Sequence, residues 1–397
     1  MPLLLGETGR DPLSYGVGEE IRLTLRADGA PRGAAVRWRR TGDDGVCFEG
    51  QGAASPPVEI ATSLSRPGFV RVEADLLSSG GEPLARFEGG AGADVRAIAP
   101  DTPEPPDFDA FWARRKAALA AVPIDGSAVC REIPSGRPDV RLFDVALPCP
   151  GGRPSTGLLS IPAGGGRFPA MIRFRGYEAS WSKIARKSPP PEALRTDAMV
   201  FFLSAHGFEF NREPEYYARL REASGSNGFD VAFDPAQNSS PETAYFGGIA
   251  WRVMRGVEYL KSRPEWDGAT LVAFGGSLGG LQSIWAAALC EGVTLCRPRI
   301  PWCCNMAGPA AGRAHGEWFV PWVPALAFYD PVNMARCIPE TCRVEISQAG
   351  LGDYISPPSG IMAFYNALRC PKSASFVQGG RHYSFPDRPW QVSTLHD

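Results

Sequence analysis

Hydrophobic and polar residues change their rhythm once along this chain, and the change divides it. In residues 1 to about 98 the rhythm has period two. Ile21, Leu23 and Leu25 alternate with Arg22, Thr24 and Arg26, and Val36 and Trp38 with Arg37 and Arg39. Val70, Val72, Ala74 and Leu76 alternate with Arg71, Glu73 and Asp75. Turn residues separate the runs, as in Ala27-Asp28-Gly29 and Gly42-Asp43-Asp44-Gly45. Short runs of this kind, each with one wet face, predict a small antiparallel sandwich of immunoglobulin-like type. Such a unit can bind carbohydrate, but no cluster of exposed aromatics is legible, which favours a packing or oligomerisation domain.

Residues 99–106, Ala-Pro-Asp-Thr-Pro-Glu-Pro-Pro, are too proline-rich for helix or central strand and read as a linker. From 107 to 397 strands alternate with helices. Asp107 is placed to cap a helix carrying Phe108, Phe111, Trp112, Leu119 and Val122 at helical intervals. Strands are expected at 140–147, 156–162, 169–174, 198–204, 270–274, 299–305, 342–348 and 373–378. The later ones are nearly continuous apolar runs, as in parallel strands buried on both faces. Phe246, Ile249, Ala250, Val253, Val257 and Leu260 mark one long amphipathic helix, stopped at Arg263-Pro264. The pattern is that of a doubly wound, mostly parallel α/β unit of the size usual for one catalytic domain.

One junction in this unit carries chemistry. The apolar run Leu271-Val272-Ala273-Phe274 feeds Gly275-Gly276-Ser277-Leu278-Gly279-Gly280, and Leu281, Ile284, Trp285 and Ala288 then fall on one helical face. A strand turning this sharply into a helix puts its turn residue in strained geometry, with neighbours too close for a Cβ. The side chain of Ser277 then stands above the sheet edge at the positive end of the helix, where a nucleophile belongs.

Composition narrows the field. Lys+Arg 41 against Asp+Glu 43 leaves a formal net charge of −2, with no electrostatic footprint for nucleic acid or an anionic membrane. No apolar segment reaches transmembrane length. The start, Met1-Pro2-Leu3-Leu4-Leu5-Gly6-Glu7, lacks a basic n-region, so a soluble cytoplasmic protein is expected unless a leader was removed. The 10 cysteines form no C-x-x-C pair and read as small buried apolar residues in a reducing compartment. With four histidines and no H-E-x-x-H, a dedicated metal site is not expected.

A serine nucleophile needs a base, the base an acid, and the carbonyl oxygen donors. In the α/β-hydrolase arrangement nucleophile, acid and base follow in that order, each after a strand. Of the histidines, His206 and His315 are out of order, and His396 is penultimate, where chains fray. His382, in the turn Gly379-Gly380-Arg381-His382-Tyr383, is the base. Asp353 follows the strand Val344-Glu345-Ile346-Ser347-Gln348 and is the preferred acid. Asp330 is the alternative, although an Asp before Pro331 reads as a helix cap. The backbone N–H of Leu278 supplies one oxyanion donor, and that of Tyr177, after the strand ending at Phe174, the second, with Gly176 allowing close approach. Tyr177 and Trp181 are candidates to wall the acyl pocket.

Together these pieces resemble the acetyl xylan esterase and cephalosporin C deacetylase family of α/β-hydrolases, from about Pro106 to His382. Pro106-Asp107-Phe108-Asp109-Ala110-Phe111-Trp112 resembles its opening helix, and Arg175-Gly176-Tyr177 its His-Gly-Tyr oxyanion segment. Gly275-Gly276-Ser277-Leu278-Gly279-Gly280 resembles its Gly-Gly-Ser-Gln-Gly-Gly elbow. Gly350-Leu351-Gly352-Asp353-Tyr354-Ile355-Ser356-Pro357-Pro358-Ser359 resembles its acid loop, Gly-Leu-x-Asp-x-x-Cys-Pro-Pro-Ser, and independently selects Asp353. The departures are Leu278 for glutamine, His206-Gly207-Phe208 for Arg-Gly-Gln, His382-Tyr383 for His-Glu, and the N-terminal sandwich. They leave acetyl specificity and the family's hexameric ring unassigned, and a homo-oligomer open.

The resemblance implies a cofactor-free serine esterase removing short acyl groups, acetyl above all, from small carbohydrate esters through an acyl-enzyme. A serine peptidase of the prolyl-oligopeptidase kind shares the elbow, but residues 1–98 are too short for a propeller gate. A catalytically silent carbohydrate-binding protein on the same fold is the remaining alternative.

Overall fold

The structure, a computed structural model, describes residues 2–125, 128–177, 193–210, 212–225, 227–387 and 391–397. Its first seven strands are β1 (Leu3–Thr8), β2 (Ile21–Asp28), β3 (Ala35–Gly42), β4 (Phe48–Ala53), β5 (Val58–Thr62), β6 (Gly68–Leu77) and β7 (Pro83–Ala93). They form two antiparallel sheets, ordered β1-β2-β5 and β4-β3-β6-β7. The period-two residues do what their spacing demands: Ile21, Leu23, Leu25 and Ile60 meet Val36, Val72, Ala74 and Leu76 in one shared core.

One inward position is charged. Arg40 continues the phase of Val36 and Trp38, and its side chain is fully buried. All five of its N–H donors are used. Two go to Asp44 in a fork (Nη1–Oδ1 2.6 Å, Nη2–Oδ2 2.8 Å), one to the Thr62 hydroxyl, and two to the carbonyls of Val46 and Ser63.

The remaining strands, β8 (Val129–Ile133), β9 (Val140–Leu147), β10 (Ser155–Pro162), β11 (Phe168–Phe174), β12 (Met199–Leu203), β13 (Trp266–Gly276), β14 (Leu295–Arg299), β15 (Arg343–Gly350), β16 (Lys372–Val377) and β17 (Val392–His396), make one mixed sheet. Its order is β17-β16-β15-β14-β13-β11-β12-β10-β9-β8. The run from β12 to β16 is parallel, and antiparallel strands flank it on both sides. The helices are α1 (Phe108–Ala120), α2 (Pro214–Ser224), α3 (Tyr245–Ser262), α4 (Leu278–Leu289), α5 (Pro331–Met334) and α6 (Pro358–Ala367). Side chains of α1, α3, α4, α5 and α6 join the inward residues of β11, β13 and β15 in the main core. Among the described residues no helix is long and apolar enough to cross a membrane.

Several expectations need correction. The strand expected at 299–305 is β14, Leu295–Arg299. Pro298 disguised it, and the ladder to β15 skips that residue, joining Leu295, Cys296 and Arg299. Beyond it Ile300, Cys303 and Asn305 take φ of 39°, 61° and 61°, which ends any strand. Burial on both faces holds for β10 and β12 only; in β11, β13 and β15 buried residues alternate with half-exposed ones such as Arg173 and Glu345. Helix α4 is buried on every side rather than along one face. Asp107 sits at the N-cap of α1 without a side-chain cap bond. His396 does not fray but pairs with Ser373 in β17. Of the cysteines, Cys47 and Cys130 are exposed.

The segment 99–106 is pinned rather than loose. Thr102 donates its hydroxyl to Asp330 at 2.6 Å, Asp101 Oδ2 accepts from Asn305, and Pro103 O accepts from Asn333. The first unit is also bonded to the second through Asp43, whose buried carboxylate accepts from the backbone N–H of Phe69 and of Ala314.

Burial alone would push the Asp44 carboxyl up, but the bonds from Arg40 and the Val46 N–H outweigh it and hold the carboxyl below its ordinary range. A depressed carboxyl contributes stability that is present above its unfolded pKa and is lost as pH falls through the folded value. Asp44→Ala, which leaves Arg40 buried without its counter-charge, is expected to cost about 3 kcal/mol in denaturant unfolding at neutral pH. The difference from wild type should shrink steadily as the pH is lowered below the usual carboxylate range.

Candidate active site

Ser277 joins β13 to α4 with φ 57° and ψ −120°, the strained turn expected of an elbow. Its N–H donates to Arg299 O, and its carbonyl accepts from Leu281 N and Trp302 N, so the turn is held from both sides. The need for glycine is steric: a Cβ on Gly279 would lie 2.5 Å from Phe174 O. Strand β11 and helix α4 therefore approach closely enough to bring residues 175–177 beside the serine.

The three residues selected for catalysis meet. His382 Nε2 lies 3.0 Å from Ser277 Oγ, and His382 Nδ1 lies 2.9 Å from Asp353 Oδ2. The other carboxylate oxygen, Oδ1, accepts from the N–H of Ile355 and of Ser356, each at 3.0 Å. A carboxylate only accepts, so Nδ1 carries the imidazole proton and Nε2 is left to accept from the serine. Ser277 and Asp353 are almost fully buried, while the His382 side chain keeps 15% of its exposure. Asp330, the alternative acid, lies elsewhere. It caps α5 through the Val332 N–H and also accepts from Thr102, Asn305 N and Met306 N. Burial pushes its carboxyl up to about 6 against those donors.

The remaining histidines have other occupations. His206 is buried beside Tyr245, with Nδ1 2.8 Å from the phenol oxygen. Burial first, then Arg252 and Arg153, push it down to about 3, so it is neutral at working pH. His315 is exposed, with Nδ1 2.7 Å from Gly316 O.

Leu278 is the first residue of α4, so its N–H points out of the helix start with no intrahelical acceptor. Gly176 lies against the elbow: a Cβ there would come within 2.9 Å of the Tyr383 hydroxyl and 3.5 Å of Gly276 O. The Tyr177 hydroxyl donates to Val231 O at 3.0 Å, and burial raises its pKa above the ordinary phenol value. Its ring meets Trp318 (5.0 Å), Phe233 (5.8 Å) and Trp302 (5.9 Å), and the two tryptophans stack on each other at 4.8 Å. Because Trp302 N donates to the carbonyl of Ser277, this aromatic group adjoins that serine. Trp181 lies outside the described residues.

Sequence reasoning missed Phe233, Trp302 and Trp318, which come from three distant segments and share no spacing. It also missed Gln282. One helical turn beyond Leu278, the Gln282 amide donates to the carbonyls of Leu278 and Arg175, tying the 175–177 segment to α4. Its only prior signal is a polar residue, beside Ser283, on a helix that is apolar elsewhere.

The chain is similar to known proteins over most of its length. The family model for acetyl xylan esterase (AXE1) matches residues 93–308, more than half of the chain. Acetyl esterase Axe7A of Xylanibacter ruminicola is 26% identical over 336 residues, covering 81% of this chain and 72% of that protein. Among solved structures, an acetyl xylan esterase from a Paenibacillus species superposes with a TM-score of 0.60 at 22% identity, covering 74% of this chain and 94% of that one. Acetyl xylan esterase 1 from a Thermoanaerobacterium species gives 0.60 at 19%, covering 74% and 93%. These structures share the α/β-hydrolase type of fold with the mixed sheet described above. The chain belongs to the acetyl xylan esterase family, whose members are carboxylic ester hydrolases acting on carbohydrate esters.

Proposed function

We propose that this protein is a serine esterase that removes acetyl groups from acetylated carbohydrates through a Ser277-His382-Asp353 triad and an acyl-enzyme. The observation that carries the reading is the unbroken hydrogen-bonded series from Ser277 Oγ through both ring nitrogens of His382 to a fully buried carboxylate. Ser277 attacks the ester carbonyl while Nε2 of His382 takes its proton. The imidazolium is stabilised by Asp353, whose Oδ1 stays occupied by two backbone N–H groups. Charge developing on the carbonyl oxygen falls to the N–H groups of Leu278 and Tyr177, the first of them reinforced by the positive end of α4. As the tetrahedral adduct collapses, His382 returns the proton to the departing sugar alkoxide. Water, deprotonated by His382, then attacks the acetyl-enzyme, and acetate leaves as Ser277 regains its hydrogen.

The aromatic group of Tyr177, Phe233, Trp302 and Trp318 beside the serine supports a short acyl chain, since packed rings leave little room for a longer one. For the N-terminal unit, the strand orders β1-β2-β5 and β4-β3-β6-β7 support an immunoglobulin-like sandwich.

Ser277→Ala is expected to lower kcat on p-nitrophenyl acetate by about 10⁶-fold and to abolish labelling by a fluorophosphonate. Acetate release from acetylated xylan and acetylated oligosaccharides is the direct test of the substrate class; cleavage of a proline peptide without ester cleavage would overturn the assignment.

Asp353→Asn gives a sharper test of the acid. Two N–H donors fix Oδ1 as the oxygen side of the new amide, so its NH₂ must face His382 Nδ1. The imidazole proton is then driven to Nε2, which can no longer accept from Ser277. A loss in kcat of about 10⁴-fold with little change in KM is expected; near-normal turnover would remove Asp353 from the mechanism.

A further inference from the structure

We infer that the N-terminal unit forms part of the framework of the triad: strand β7 sets the spacing of the acid and histidine loops, and Gln378 is the positioning residue that couples them. The inference rests on the triad roles proposed above. Strand β7 is the outer strand of its sheet, with β6 along one edge. On its other edge the C-terminal end is taken by residues 12–15, Gly92 N donating to Pro12 O and Ala93 bridging to Tyr15. An outer strand ordinarily turns its remaining edge groups to solvent or covers them, and at residues 88–90 the cover is the loops that carry Asp353 and His382.

Gln378 directly follows β16 and is 2% exposed. Its amide donates to Gly90 O at 2.8 Å and accepts from Gly90 N at 2.9 Å. That is the two-bond exchange one residue of a strand makes with its opposite number, here made by a side chain. Four residues later the chain reaches His382. Between them Arg381 lies 3.6 Å from Glu88, two residues before Gly90 on β7.

The N-terminal unit touches the acid loop on both sides of Asp353, through β7 at Gly352 and through Arg71 of β6 at Tyr354. A Cβ on Gly352 would lie 2.3 Å from Glu88 O, so the loop backbone rests directly on the strand. Tyr354 lies under the guanidinium of Arg71 (4.4 Å), and Arg71 is paired with Glu88 at 2.9 Å. The two loops also bond each other, Leu351 N to Val377 O and Gly352 N to Gly380 O, each at 3.0 Å. Residues 88–90 therefore contact the neighbours of the acid and of the base at once. A shift of β7 moves both ends of the bond between His382 and Asp353.

The test uses the full-length chain. Gln378→Met keeps length and volume but removes both bonds. Its kcat on p-nitrophenyl acetate is expected to fall about 10- to 100-fold with KM within twofold of wild type, in protein that still melts cooperatively. Gln378→Glu adds a readout that packing alone would not move. Protonated, its carboxyl reproduces one donor and one acceptor toward Gly90; ionised, it offers an acceptor to a carbonyl. Its kcat relative to wild type should rise as the pH falls through the titration of that carboxyl, whereas the relative kcat of Gln378→Met stays flat. A folded Gln378→Met with wild-type kcat, or a Gln378→Glu ratio independent of pH, would overturn the inference. Should the Met variant not fold, the Glu ratio decides. Ser277→Ala in the same assay keeps the two proposals apart: an active Ser277→Ala overturns the triad, while an inactive one beside a fully active Gln378→Met overturns the positioning role alone.

Discussion

A non-glycine residue at φ 57° and ψ −120° costs roughly 1–3 kcal/mol and persists only where its surroundings leave it no alternative. At Ser277 the surroundings are specific. Arg299 O takes its N–H, Leu281 N and Trp302 N take its carbonyl, and the crossing of β11 over Gly279 leaves no room for the turn to relax. The same restraints create the site. Gly279 admits residues 175–177 to the serine, the bond to Trp302 fixes the aromatic group beside it, and the start of α4 at Leu278 leaves an N–H without an intrahelical acceptor. The contacts that hold one strained residue thus also place Ser277, the aromatic group and the start of α4 together.

What could be read in the sequence is what local rules govern. The period-two phase of β2, β3 and β6 and the helical phase of α3 follow from which side chains leave water, and the structure buries those residues, Trp38 only in part, while α3 also buries Arg252 and Arg255. The elbow was legible because its glycines stand together at one strand–helix junction, although the atoms that most crowd Gly276, Gly279 and Gly280 belong to Phe174, Arg299, Pro301 and Tyr383. His382 and Asp353 were legible from their order after successive strands, and the structure joins them through hydrogen bonds that the order could not specify. Features that failed obey longer rules. Strand β14 is hidden by Pro298, which a neighbour-by-neighbour reading takes for a stop. Arg40 occupies an apolar phase because Asp44, Thr62 and two carbonyls from other segments satisfy it. Phe233, Trp302 and Trp318 converge from separate loops, and Gln378 meets Gly90 across 288 residues of chain. No periodicity carries such pairings.

The four histidines show how surroundings, not residue type, assign a role. His206 has two ring nitrogens and an aromatic bed, yet burial beside Arg252 and Arg153 keeps it neutral and bonded to Tyr245. His315 and His396 are both exposed, the latter on the edge strand β17. Only His382 combines a buried carboxylate on one nitrogen, a hydroxyl on the other and partial access to solvent. Those conditions let an imidazole gain a proton from one side and be stabilised from the other.

The family match ends at residue 308, so it includes Ser277 but neither Asp353 nor His382. The loops that carry these two residues are the ones β7 touches, through Glu88, Gly89 and Gly90. The C-terminal strand is bound to the same unit: Gln391 bonds the backbone of Thr8, and Asp397 pairs with Arg96. The N-terminal sheets and the last fifty residues therefore constrain each other in space despite lying at opposite ends of the chain. A substitution in β7 that shifts its edge must be answered in the loops after β15 and β16, or the imidazole loses its carboxylate. The nucleophile's turn is held by contacts from within the α/β unit, while the spacing of its acid and base depends on both units.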